Sequence, residues 1–171
     1  MYPIILVLLA SACRLLPHAP NFTPIGAIAL FAGSEIKDLK LAVGVTLGSM
    51  ILSDLVIGAD ITSIAVYLAL TISVLIGRYF QSSTSLRSGL FSATTCAVLF
   101  FLITNLAVWG WSGIYQRSVA GLSECFVAAI PFFRNTLLSD ILYLGALSSI
   151  CYLCRLSSPS RRILGQRILV S

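Results

Sequence analysis

The stretch Arg87-SGLFSATTCAVLFFLITNLAVWGWSGIYQ-Arg117 decides the fold class. No charged residue interrupts it between the two arginines. At about 1.5 Å of rise per helical residue it is long enough to cross roughly 30 Å of hydrocarbon. The rest of the chain agrees. Of its 171 residues 58% are hydrophobic and only 10% are charged, and the mean hydropathy is +0.99. A soluble domain carries about 25% charged residues, so this chain has too few to cover a water-facing surface. Disorder, which needs low hydrophobicity and high charge, is excluded as well. An all-α integral membrane protein remains.

Cutting the other apolar runs at charges and turn residues gives six segments: 3–16, 25–34, 41–57, 61–77, the stretch above, and 135–154. The first two are short for a full span and read either as tilted helices or as a re-entrant hairpin around the Pro-rich loop 17–24. Residues 1–156 form a single transmembrane domain, and 157–171 form a basic tail. With both termini cytoplasmic, Lys37, Lys40, Arg78, Arg87, Arg155, Arg161, Arg162 and Arg167 fall inside. Arg14, Arg117 and Arg134 fall outside, a bias that orients the chain as a multi-pass membrane protein with both termini cytoplasmic. Leu9-Ala-Ser-Ala-Cys13 has a lipoprotein-like look but no basic n-region, and reads as part of the first membrane segment. The net charge of +5 sits at the ends of apolar runs, which points to topology and not to nucleic acid.

Drawn with that topology, the polar residues gather near the outer face. Arg14, the loop residues His18, Asn21 and Thr23, then Asp54, Tyr67, Asn105, Trp109, Arg134, Asn135, Asp140 and Tyr143 all fall there. Intramembrane charges are costly and persist when they pair or line a hydrated cavity. Two readings follow. In the first, Arg14, Asp54, Asp140 and Arg134 are structural ion pairs of a non-transporting scaffold or assembly factor. In the second, they frame a pocket for a small polar or anionic nutrient, vitamin-like in size. Arg134 at the N-terminus of the last helix would contact an anionic group, Asn21, Asn105 and Asn135 would hydrogen-bond, Trp109 would stack, and Tyr143 would share a helix face with Asp140. Arg134 also fits a snorkelling cation, and Trp109 an interfacial aromatic belt.

Gly44-Val-Thr-Leu-Gly48 and Ala29-Leu-Phe-Ala-Gly33 are small-xxx-small motifs that favour close helix approach within the bundle, or docking of another membrane subunit. Cys151-Tyr-Leu-Cys154 lacks the second pair and the histidine that redox or zinc chemistry would want. No nucleotide loop, HExxH or GxSxG motif is present. The chain reads as a non-enzyme without metal or cofactor, unable to power transport by itself.

The strings Arg14-Leu-Leu-Pro-His-Ala-Pro-Asn-Phe-Thr-Pro-Ile-Gly26, Leu52-Ser-Asp54 with Gly58, Thr104-Asn-Leu-Ala-Val-Trp109, and Ala129-Ile-Pro-Phe-Phe-Arg-Asn-Thr-Leu137 with Asp140 and Tyr143 resemble a family of uncharacterised small bacterial integral membrane proteins. In architecture the chain is also similar to the substrate-binding (S) components of energy-coupling-factor vitamin transporters. That resemblance implies a six-helix bundle with cytoplasmic termini and an outward pocket covered by loop 17–24 and segment 112–133. It also implies a separate transmembrane coupling subunit with ATPases. The usual Ala-x-x-x-Ala docking patch of the first helix is missing, since only Ala10 and Ala12 stand there.

Overall fold

A computed structural model describes residues 2–80 and 85–157; the expected basic tail lies, apart from Ser157, outside the described residues. Seven helices and no strand occur among the described residues: α1 (Tyr2–Leu15), α2 (Ile25–Glu35), α3 (Leu39–Ile57), α4 (Ser63–Tyr79), α5 (Leu86–Trp111), α6 (Val119–Ala128) and α7 (Ile130–Ser157). Three of them, Leu39–Ile57, Leu86–Trp111 and Ile130–Cys154, are long and apolar enough to cross a membrane. The architecture is that of a polytopic membrane protein.

The distribution of side chains follows the solvent that such a bundle meets. Large apolar residues point outward: Leu55 is 77% and Val56 71% exposed. Small and hydroxyl residues fill the inside, among them Ser11, Thr46, Ser49, Ser53, Ser73 and Ser139. Each of these hydroxyls donates to a carbonyl one helical turn back, so burial strands none of the six. Ser11 Oγ also reaches Ser49 O at 3.0 Å and ties α1 to α3.

The centre is α2, buried nearly all round from Ile25 to Gly33. Its closest neighbour is α4. A Cβ on Gly33 would lie 2.0 Å from Val74 O, and one on Gly77 would lie 2.1 Å from Leu30 O. The two backbones therefore touch, which only glycine allows at these two positions. With 11 residues α2 is about 16 Å long, half of a membrane's hydrocarbon thickness. Protein on every side, not lipid, satisfies it.

Loops 16–24, 58–62 and 112–129 gather at one end of the bundle, the loop end; the α2–α3 connection lies at the opposite end. Asp38 caps α3 by accepting the Lys40 N–H at 2.9 Å, and Gly58 ends it at φ +97°.

Two expectations change. The six segments are joined by a further helix, α6, in the loop before α7. Its ten residues are too few to span, and Ser118 starts it by accepting the Gly121 N–H at 3.1 Å. α7 begins at Ile130, and Pro131 lies in its first turn, where a proline is tolerated. Finally, α1 and α2 form no hairpin: α1 packs on α3 and barely meets α2. The glycines divide likewise. Gly33 serves the α2–α4 crossing. At Gly44 and Gly48 a Cβ would meet nothing within 4 Å, so that face of α3 points away from the bundle.

Candidate ligand cavity

Two charged side chains of α1 and α3 meet near the loop end. Arg14 Nη1 pairs with Asp54 Oδ1 and donates to Ser53 Oγ at 2.7 Å. Tyr67 Oη of α4 donates to the other oxygen, Asp54 Oδ2, at 2.6 Å. Asp54 is thereby satisfied from two sides, and three helices are tied at one level. The Asp54 side chain is 4% exposed, the Arg14 side chain 23%.

Asp140 is solved differently. It is 2% exposed and lies ten residues after Ile130, roughly 15 Å along α7. Its carboxylate faces the first turn of α2, with the Ala27 N–H as hydrogen-bonding partner. A Cβ on Gly26 would stand 2.3 Å from Asp140 Oδ1, so the missing side chain makes room for the carboxylate. Among the described residues Asp140 has no ion pair; the positive end of α2 stands in for the expected arginine.

Because α2 starts this far below the beginning of α7, the centre of the bundle above it is not filled by a helix. A cavity of about 460 Å³ occupies that space, bordered by Arg14, His18, Asn21, Ser73, Cys96 and Asp140 among others. A second chamber of about 320 Å³ adjoins it, lined by Asn105, Tyr115, Cys125 and several phenylalanines. Asn21, Val66, Phe100 and Thr136 border both, so the two lie side by side.

The roof is pinned by specific contacts. Asn21 adopts φ +61°, a left-handed turn that Asn tolerates. Asn135 Nδ2 donates to Pro20 O at 2.9 Å, and the Phe22 ring lies 6.1 Å from that of Tyr143. Loop 17–24 is thus fastened to α7. On the other flank Trp109 Nε1 donates to Gln116 O at 2.9 Å, Arg117 Nη2 to Gly110 O at 2.8 Å, and Phe101 packs on Phe126 and Phe133. These hold α6 against α5 and α7.

Of the residues expected to bind a ligand, Asn21 and Asn105 border the cavity. Asn105 Nδ2 donates to Phe101 O at 2.7 Å, leaving its side-chain oxygen for other use. Asn135, Tyr143 and Trp109 do not line it; they secure its cover. Arg134 is exposed on α7 and borders neither chamber. Arg14 lines the cavity as well as pairing with Asp54. Sequence reasoning missed Gly26, Met50, Ser73, Cys96 and Ser139, whose residue types are ordinary for a membrane helix and carry no signal of their own.

Residues 1–161 match the family of unknown function DUF6580. The chain belongs to DUF6580. No curated protein matches it, and no solved structure does. The DUF6580 match spans every element that frames the cavity. Among the described residues of this DUF6580 chain no three His, Cys, Asp or Glu side chains converge as a metal site would require. At the opposite end Cys151 Sγ lies 3.7 Å from Glu35 Oε2, and Cys154 is exposed and free.

Proposed function

We propose that the protein binds a small polar nutrient-like solute in this cavity and takes part in its passage across a bacterial inner membrane. The observation that carries the reading is the space itself. It is large enough for a vitamin-sized molecule, bordered by polar groups in an otherwise apolar bundle, and covered by two separately pinned segments. In this reading the loop end faces outward and both termini are cytoplasmic, as the Lys/Arg distribution favours. The chain has no nucleotide loop, so a separate coupling subunit with ATPases, or a gradient, supplies the driving force. Arg134, on the exterior of α7, is left out of the ligand contacts, and an anionic ligand loses its principal support with it.

The rival reading, a scaffold whose charges are structural, is favoured by one observation: the Gly44/Gly48 face of α3 is open to another helix. Mass spectrometry of small molecules retained by the purified protein, with thermal-shift screening against vitamins, nucleobases and amines, separates the two. A retained or stabilising compound lost on Asn105→Ala supports binding. No retained molecule and no shift refutes it. Cysteine labelling of Ser112→Cys from outside intact cells tests the orientation; protection there refutes it.

A further inference from the structure

We propose that the ligand carries a protonated amine or amidinium group, and that Asp140 is the residue that receives it. This rests on the cavity reading above and goes beyond it to the charge of the ligand. The charged groups that border the cavity point to this. The cationic group that borders it, Arg14, is committed to Asp54, which Tyr67 also holds. His18 Nδ1 is engaged with Leu16 O at 2.6 Å in the exposed loop. Asp140 remains. It is buried, borders the larger chamber, and faces no cation from α2, α4, α5 or α7. Gly26 and Ala27 of α2, Ser73 of α4 and Cys96 of α5 are its surroundings there.

The α2 N-terminus offers about half an elementary charge and one N–H. A carboxylate has two oxygens and about four acceptor sites. Roughly half of the charge and most of the acceptor capacity are left for whatever fills the cavity. An anion would meet this carboxylate without a free cation to offset it, and like charges at close range are strongly unfavourable in a poorly solvated site. A neutral solute gives the buried carboxyl no reason to ionise, so the group would hold its own proton and contribute no charge to binding. A primary ammonium brings three donors and a full opposite charge, and an amidinium brings paired donors to the same end. The neighbouring Ser73, Ser139 and Asn21 suit additional hydrogen bonds, and Phe100 presents an aromatic ring where the two chambers adjoin.

The test is a charge series on fixed scaffolds. Calorimetry on the full-length protein in zwitterionic-lipid nanodiscs compares tryptamine with tryptophol and indole-3-acetate, and phenethylamine with phenethyl alcohol and phenylacetate. The expected result is binding of at least one amine, about ten- to a hundredfold tighter than its alcohol, with the carboxylate weakest, as a charged hydrogen bond implies. In Asp140→Asn, whose side-chain oxygen can still accept the Ala27 N–H, the preference for the amine over the alcohol should collapse. Binding of alcohols or carboxylates in preference to amines overturns the inference and leaves the cavity reading standing. Amine binding that is unchanged in a folded Asp140→Asn overturns it too. If that variant does not fold, the wild-type series decides alone. Failure of every probe, with no molecule retained on purification, removes the cavity reading along with this one.

Discussion

Breaking the Arg14–Asp54 pair from one side should be far more damaging than removing it whole, and the two halves should not cost the same. Asp54 is almost fully enclosed, whereas Arg14 keeps about a quarter of its side chain exposed near the loop end. Stranding one member of a buried pair costs about 3–5 kcal/mol. Arg14→Ala leaves the enclosed carboxylate with Tyr67 as its remaining side-chain partner and belongs at the upper end of that range. Asp54→Ala leaves an arginine that can turn its head toward the loop end and water, and belongs at the lower end or below. Tyr67→Phe removes one hydrogen bond to a charged group, about 1.5–3 kcal/mol. The double variant Arg14→Met/Asp54→Leu strands no charge, and apolar replacements of such pairs are often near neutral. The coupling in the double-mutant cycle should therefore be several kcal/mol. The assay is reversible unfolding by SDS titration in mixed micelles, followed by tryptophan fluorescence and circular dichroism. Additivity within about 0.5 kcal/mol would show that the two residues do not act as a pair. A cost for Asp54→Ala above that for Arg14→Ala would refute the solvation argument.

Three further outcomes are expected. Gly33→Ala and Gly77→Ala should abolish or severely reduce folded protein, since each new Cβ runs into a backbone carbonyl well inside van der Waals contact; Gly44→Ala and Gly48→Ala should leave size-exclusion profiles and thermal stability of the isolated protein unchanged. Asn135→Ala should cost about 0.5–1.5 kcal/mol and raise hydrogen exchange in 17–24 while exchange in α2 is kept; unchanged exchange in that loop would sink its role as a fastening. Hydrogen bonds from the Thr62 side chain, with the Thr62 and Ser63 N–H groups, hold the Asp60 carboxyl below its ordinary 3.8. A lowered folded-state value means that its contribution is complete above 3.8 and is lost as pH falls from there through the folded value. Thermal unfolding of wild type against Asp60→Asn should therefore show a difference at neutral pH that closes in that acidic window, and a difference independent of pH would refute it.

Much of the fold is legible without coordinates because lipid acts as a solvent with simple rules. A run such as Ser88–Trp111 has no other home than a membrane helix, and the placement of charge at the ends of runs orders the segments. The pairing of Asp54 with an arginine is likewise foreshadowed, since a lone charge in α3 needs a partner and Arg14 ends a neighbouring span at the same level. Hydropathy does not distinguish a helix wrapped in lipid from one wrapped in protein. That is why α2 reads as a doubtful span from its sequence although it is the centre of the bundle, and why Gly33 and Gly44 look alike although one touches a backbone and the other faces outward.

The site depends on that same unreadable fact. Apolar composition, the six apolar segments and the crowding of polar residues toward one end are local properties, and the chain alone determined them. Whether Asp140 meets Arg134 or the start of α2 depends on the rotation of α7 and on the depth at which a helix of half-membrane length begins. Both are set by packing among elements distant in sequence: the Gly33–Gly77 contact fixes α2 against α4, and the space above α2 is what remains when its neighbours continue past it. Tertiary structure therefore moved Arg134 to the exterior, turned Asn135, Tyr143 and Trp109 from ligand contacts into fastenings of the cover, and left a carboxylate at the cavity where the sequence had suggested an arginine.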